Sequence, residues 1–334
     1  MNRHAYKIIF NKRLGRFDVV SEAVNSQGKG SDSSGYNGAS SIFSTLIKPL
    51  VFALMLSMGM AQILPANAQV VADPNAPKTE QPTILNTASG ATQVNIQTPT
   101  AAGVSMNQYQ QFDTQTNGTV LNNSRINVNT QTAGWVQGNP WLATGSAKVI
   151  VNQVNSSNPS TLKGNIEVAG QKADLIIANP SGISIDGAAI INANRTTFTT
   201  GAPLLSQGAL SGFNVTQGQV SVTGQGLNSL GSDYTDILAR SAQINAGILA
   251  NQLKVTTGAN TVNANNSQVT ANTPMGTAPQ FAIDTSALGG MYAGKITLVG
   301  TEQGMGVNNA GQIAASAGNV SVDVNGQLSN SGTM

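Results

Sequence analysis

Cysteine is absent from all 334 residues, and histidine occurs once, at His4. The first absence excludes disulfide frameworks and Cys-based zinc sites. With the N-terminal segment set aside, the second excludes a Ser-His-Asp triad, a Cys-His pair and a His-ligated catalytic metal. Charge is scarce as well: 9% of residues are charged, against roughly a quarter in an ordinary globular domain. Aromatics make up 4%, so a thick core is out of reach and the backbone must pair its own amides in sheet ladders. No stretch carries convincing helical periodicity.

The net charge of +2 and pI near 8.9 conceal an uneven distribution. Seven of the basic residues lie in residues 1 to 68 (Arg3, Lys7, Lys12, Arg13, Arg16, Lys29, Lys48), with only three acids. Nine basic and eleven acidic residues remain beyond them, without the clustered Lys and Arg that a nucleic-acid footprint requires. No cofactor is expected.

What is present divides the chain. Residues 49 to 64 (PLVFALMLSMGMAQIL) are apolar and uncharged, preceded by Lys48 and followed by Ala66-Asn67-Ala68, small residues where a signal peptidase needs them. Cleavage is expected after Ala68, leaving Gln69 as the new N-terminus. Sixteen residues fall short of the roughly 20 that span a bilayer as a helix. The polar, basic stretch of about 40 residues ahead, which begins MNRHAYKIIFNKRLGRFDVVSEAV, is longer than the roughly 15 to 30 residues of a whole ordinary signal peptide. It resembles the extended signal region of very large exported proteins of Gram-negative bacteria, which implies passage through the Sec translocon. Residues 69 to 93, rich in Pro, Asn, Thr and Ala, read as a flexible leader, with ordered structure starting near Val94.

From there, short alternating runs are separated by Gly, Asn and Ser: AKVIVNQV (147 to 154), ADLIIAN (173 to 179), QVSVTG (219 to 224), LKVTTG (253 to 258), KITLVG (295 to 300) and NVSVDV (319 to 324). Val, Ile and Thr suit strands, and Asn-Gly or Ser-Gly steps suit tight turns. VNNAGQI (307 to 313) recurs as LSNSGTM (328 to 334), and GKITLV (294 to 299) as GNVSVD (318 to 323). Repeats of about 20 to 25 residues built only of short strands predict a right-handed parallel β-helix of around ten coils with an N-terminal cap. The aromatics Tyr109, Phe112, Trp135 and Trp141 are expected to form that cap, an exposed recognition patch being the alternative. Because a repeat match stops at Met334, the chain is expected to be part of a longer one.

The segments VNIQTPTAAGVSMNQYQQFDTQTNGTVLNNS (94 to 124) and GWVQGNPWLATGSAKVIVNQVNSSNPSTLKGNIEVAGQKADLIIANPSGISIDGAAIINANRTTFTTG (134 to 201) resemble the secretion domain of the filamentous haemagglutinin family. These are the exported partners of two-partner secretion systems. Two Asn-Pro boxes mark that family, NPNL and NPNGI. Here they correspond to Asn139-Pro140-Trp141-Leu142 and Asn179-Pro180-Ser181-Gly182-Ile183, each departing at its third position. On physical grounds both are turn sequences, Asn capping and Pro fixing φ; contact with a partner is the other reading. Some relatives carry two cysteines after the second box, where this chain has Ile185 and Ala188, so packing of Ile185, Ile190 and Ile191 is expected to hold that turn.

The resemblance implies a secretion domain over residues 94 to 290, with shaft-type repeats from 291 to 334. It implies capture by the periplasmic repeats of an outer-membrane barrel transporter, passage through the periplasm to the cell surface, and folding outside. Segments LNNSRI and VNQVNSSNPSTLKGNIEVAGQKA lean toward the contact-dependent growth inhibition toxins, with an adhesin lacking a toxin as the alternative. A target-cell receptor would be met by regions further downstream. A one-component autotransporter is disfavoured by the Asn-Pro boxes. A β-helix enzyme is disfavoured because Asp174 with Asp186, and Asp233 with Asp236, have no adjacent Lys or His, while Arg195 and Arg240 read as solvated or capping.

Overall fold

The computed structural model describes the strands Tyr6–Asn11 and Arg16–Ser21 and the whole of residues 69 to 334. The chain divides into two units, Met1–Pro65 and Ala66–Met334. In the first, the two strands pair antiparallel, Tyr6 opposite Ser21 and Asn11 opposite Arg16.

The second unit is a parallel β-helix whose coils stack in three ladders. The first ladder runs through Val104–Phe112, Val149–Val154, Ala173–Ala178, Ala193–Thr199 and Ser232–Ala239, then the C-terminal halves of Gly247–Thr257 and Gly290–Gly300, and ends on Val320–Val324. The second starts at the Thr114–Leu162 bridge and continues through Ile183–Ile185, Gln219–Val222, Ser241–Ile244, Phe281–Thr285, Gly306–Asn309 and Leu328–Asn330. The third joins Thr92–Asn95, Thr119–Asn123, the C-terminal half of Ser160–Gly170, and so on to Gln312–Ala315. The repeats read from sequence are the register itself: Val307 lies opposite Leu328, Asn309 opposite Asn330, and Ile296 opposite Val320.

Alternation along a strand decides what each side chain meets. In the first ladder Ile150, Leu175, Ile177, Phe198 and Ile237 point into the solenoid core, while Val104, Val151, Ile176, Ala178 and Leu238 point outward yet are also buried. That is why AKVIV and ADLIIA, expected to alternate, carry nearly unbroken apolar runs, as strands covered on both faces do. The outer cover is a four-stranded antiparallel sheet, Ala202–Ser206, Ala209–Val215, Asn260–Asn263 and Val269–Ala271, which contributes Phe213, Val215 and Val262 to the contact. A hairpin of Val128–Thr130 with Gly134–Val136 covers the third ladder in the same way, packing Val136 on Val120 and Ala169.

Two expectations are corrected. Residues 69 to 93 are not a flexible leader: Val70–Ala72 pairs antiparallel with Val104–Phe112, Val70 opposite Phe112, and Thr83–Asn86 pairs antiparallel with Thr92–Asn95. The first coil's exposed ladder edges need partners, and this stretch supplies them with short strands that carry no repeat signal. The first ladder also counts eight strands among the described residues, not ten. The hairpin and the outer sheet consume residues that a uniform repeat would have spent on coils.

One turn glycine shows how little slack the coils leave. Gly226 sits at φ +78, and a Cβ there would collide with the Gly247 carbonyl of the next coil. Gly226→Ala is expected to cost about 2–3 kcal/mol, read as a lower midpoint in denaturant titration; an unchanged midpoint would mean the coil spacing yields.

Candidate functional site

The two Asn-Pro boxes build the same clasp at different corners of the coil. Asn139, 3% exposed, sits at the N-cap of the short 3-10 turn Pro140–Leu142 with φ −77 and ψ 117, so proline follows where its fixed φ and missing N–H suit the first turn position. Its Nδ2 donates to the Ile96 carbonyl at 2.8 Å and the Asn122 carbonyl at 2.9 Å, and its Oδ1 accepts from the Trp141 N–H at 3.0 Å. Asn179, fully buried, follows the strand Ala173–Ala178; its Nδ2 donates to the Asn158 carbonyl at 2.9 Å and to Ser160 Oγ at 3.0 Å. Its Oδ1 accepts from the Ser181 N–H at 2.9 Å. Each asparagine thereby ties its own turn to a separate piece of backbone, using donors and acceptor together.

This geometry explains the departures at the third position. Asn139 and Asn179 take only the backbone N–H of Trp141 and of Ser181, which any residue but proline supplies, while Ser181 Oγ separately donates to the Ser156 carbonyl at 3.0 Å. Trp141 adds a bond from Nε1 to Thr83 Oγ1 at 3.1 Å and leaves its ring 43% exposed. Leu142 and Ile183 are buried in the core, and Gly182 takes φ +114. Pro140 is exposed. Of the cleavage residues, Ala66 and Ala68 lie outside the described residues, and Gln69 is exposed.

Of the aromatic cap, Tyr109 and Phe112 are buried edge-to-face at 4.9 Å, with the tyrosine hydroxyl donating to Asn152 Oδ1 at 2.8 Å. Trp135 is 75% exposed and Trp141 partly so, because the cap strands cover the first coil instead. Neighbouring asparagines extend the clasp: Asn122 Nδ2 reaches Asn95 Oδ1 and the Gln137 carbonyl, and Asn123 Nδ2 reaches the Ala147 and Gln171 carbonyls. The Asn-Asn pair inside LNNS is the signal that marks this hub in sequence.

The carboxylates do have basic partners, contrary to the sequence reading. Asp186 faces Lys163 at 3.8 Å, Asp233 faces Lys172 at 3.6 Å, and Asp236 binds Arg195. Each partner comes from another coil, where chain adjacency cannot show it. Arg240 is buried, not solvated: it grips Glu302 with Nε at 3.2 Å and Nη2 at 2.8 Å, while Nη1 donates to the carbonyls of Met275, Gly276 and Thr277.

Burial holds the Asp174 carboxyl above the usual carboxylate range, against the lowering effect of Arg195, and burial raises Asp236 in the same way. The folded chain holds these protons more tightly than the unfolded chain. Their contribution to stability is therefore present at acid pH and lost as pH rises through the ordinary and then the raised value. Asp174→Asn is expected to raise the thermal midpoint at pH 7 and to change it little at about pH 3, below the ordinary carboxyl range. An equal shift at both pH values would contradict this.

A protein-family model for the TPS secretion domain matches residues 68 to 330. The chain belongs to the TPS secretion-domain family. An extended signal peptide of type V secretion systems matches residues 1 to 47. The chain is 48% identical to "Toxin CdiA" of Yersinia pestis over 99% of its own length and 10% of that protein's, and 43% identical to "tRNA nuclease CdiA-2" of Burkholderia pseudomallei over 99% and 11%. It therefore spans about a tenth of the length of these relatives. The crystal structure of a filamentous hemagglutinin secretion domain superposes with a TM-score of 0.63 at 28% identity, covering 79% of this chain and 99% of that one.

As a TPS secretion domain on an extended signal peptide, the chain is exported through the periplasm to the surface of, or the medium around, a Gram-negative cell. In this TPS domain Ile185 and Ala188 are fully buried and Ile190 nearly so, while Ile191 is half-buried. Apolar packing thus occupies the turn after the second box.

Proposed function

We propose that residues 69 to 334 are captured in the periplasm by the repeats of an outer-membrane two-partner transporter after signal peptidase cleaves at Ala68, and that they start β-helix folding outside the cell. The observation carrying this reading is the Asn139 clasp. One side chain joins the cap segment at Ile96, the first coil at Asn122 and its own turn, so a folded seed is complete once the first box has emerged. Each further coil then buries apolar side chains worth about 1.5–3 kcal/mol apiece, a bias that draws the chain outward. In this reading Asn139, Pro140, Asn179 and Pro180, with Trp141, Leu142, Ser181, Gly182 and Ile183 around them, act through the fold. The exposed Pro140 and Trp141 favour a second role for the first box, direct contact with the transporter.

The larger protein is read as a contact-dependent growth inhibition toxin-delivery protein, because the relatives bear toxin and nuclease names. Its target-cell receptor would be met further downstream. Expression of residues 1 to 334 with and without the cognate transporter tests the export reading. Release only with the transporter, of a chain starting at Gln69, is expected; release in its absence, or retention in both cases, overturns it.

A further inference from the structure

Nine cations are spread over residues 69 to 334, yet Arg195, Lys254 and Lys295 converge on one open pocket of about 340 Å3. Its floor is the outer side of the first ladder, where Asp236 lies opposite Lys254 and Gln252 opposite Lys295. Its wall is the turn around Asn266, a buried residue at φ 54. Asn266 donates from Nδ2 to Asp236 Oδ1 at 3.0 Å, accepts at Oδ1 from Thr256 Oγ1 at 3.0 Å, and offers its carbonyl to Lys254 Nζ at 2.5 Å. A non-glycine residue in the left-handed region, held by three bonds, is the kind of over-determined geometry that shapes a site.

The pocket's single carboxylate is already committed. Asp236 Oδ2 takes Arg195, whose guanidinium stacks over Tyr234 at 4.8 Å, and Oδ1 takes Asn266. Among the described residues, the Lys295 ammonium, the Gln252 amide and the Tyr234 hydroxyl have neither ion pair nor hydrogen bond. Burial, reinforced by the charges of Arg195 and Lys295 against the opposing pull of Asp236, holds Lys254 below the usual lysine range. The pocket thus has surplus positive charge, with the Gln252 amide beside Lys295 and the Tyr234 ring under the Arg195 guanidinium, in a volume larger than a lone inorganic anion fills.

We propose that this pocket binds an acidic saccharide unit, with Lys254 and Lys295 taking its carboxylate and Gln252 and Tyr234 its hydroxyls. The role is separate from export, since every lining residue lies away from both Asn-Pro boxes in sequence and in hydrogen bonding. Isothermal titration of the purified chain with a galacturonate trisaccharide, a neutral galactose trisaccharide and sodium sulfate tests it. Saturable binding of the acidic sugar alone is expected, weakened roughly tenfold by Lys295→Gln, a variant at an exposed, unbonded side chain whose melting should match the parent. Equal binding of the neutral sugar, no binding of the acidic one, an unchanged affinity in Lys295→Gln, or full displacement by equimolar sulfate would each overturn the assignment.

Discussion

Asn179→Ala lowers the unfolding free energy by about 3 kcal/mol, because the change removes three hydrogen bonds made by one fully buried side chain, at about 1 kcal/mol each. The Asn158 carbonyl and Ser160 Oγ lose their donor, and the Ser181 N–H loses its acceptor, while Asn179 itself is fully buried. For a domain of this size, that corresponds to a fall in the thermal midpoint of roughly 6–12 °C. Ser181→Asn, which restores the family's usual third residue, keeps the backbone N–H that the clasp uses but gives up the Ser181 Oγ bond to the Ser156 carbonyl, and should cost about 0.5–1.5 kcal/mol. Thermal melts of both variants decide the matter. A stable Asn179→Ala protein that is nonetheless not exported would move the second box from a folding role to a recognition role.

Arg240→Ala should be of similar size, about 3–5 kcal/mol, as expected when one member of a buried ion pair is removed. The loss strands Glu302 and three carbonyls of residues 275 to 277 together. Limited proteolysis gives the local readout: cleavage within residues 272 to 280, all but one of them exposed, should appear in the variant before any cut in the ladders. Simultaneous loss of the whole protein to protease would mean that Arg240 supports the solenoid at large instead of pinning this loop. Glu302→Gln keeps one acceptor for the guanidinium and should fall between the parent and Arg240→Ala.

Much of the architecture was legible because a solenoid writes its register into its sequence. Val307 and Leu328 match as text and pair as strands, whereas the runs at 149–151 and 175–178, expected to alternate, are buried on both sides. The boxes too were legible as turns, because Asn-Pro carries its own local chemistry. What escaped was whatever joins one coil to another without repeating. The cap strand at 70–72 has no periodic partner, and the hairpins at 202–215 and 260–271 interrupt the period they protect. Arg240 and Glu302 are 62 positions apart and meet only after two coils have closed between them. Single-sequence reading sees local chemistry and repeats; it is blind to one-off contacts across the stack.

The outer sheet has a consequence in time. Strand Ala209–Val215 finds its neighbour in Asn260–Asn263, so the flank formed by Val104, Val151 and Ile176 acquires its full cover only after residue 262 has arrived. A chain threaded from its N-terminus would close its inner bore coil by coil while one side of the rod stayed greasy for another fifty residues or so. During that interval the growing rod is at its stickiest toward lipid, toward a neighbouring rod, or toward the rim of the pore it is leaving, and the second hairpin acts as the latch that ends the interval.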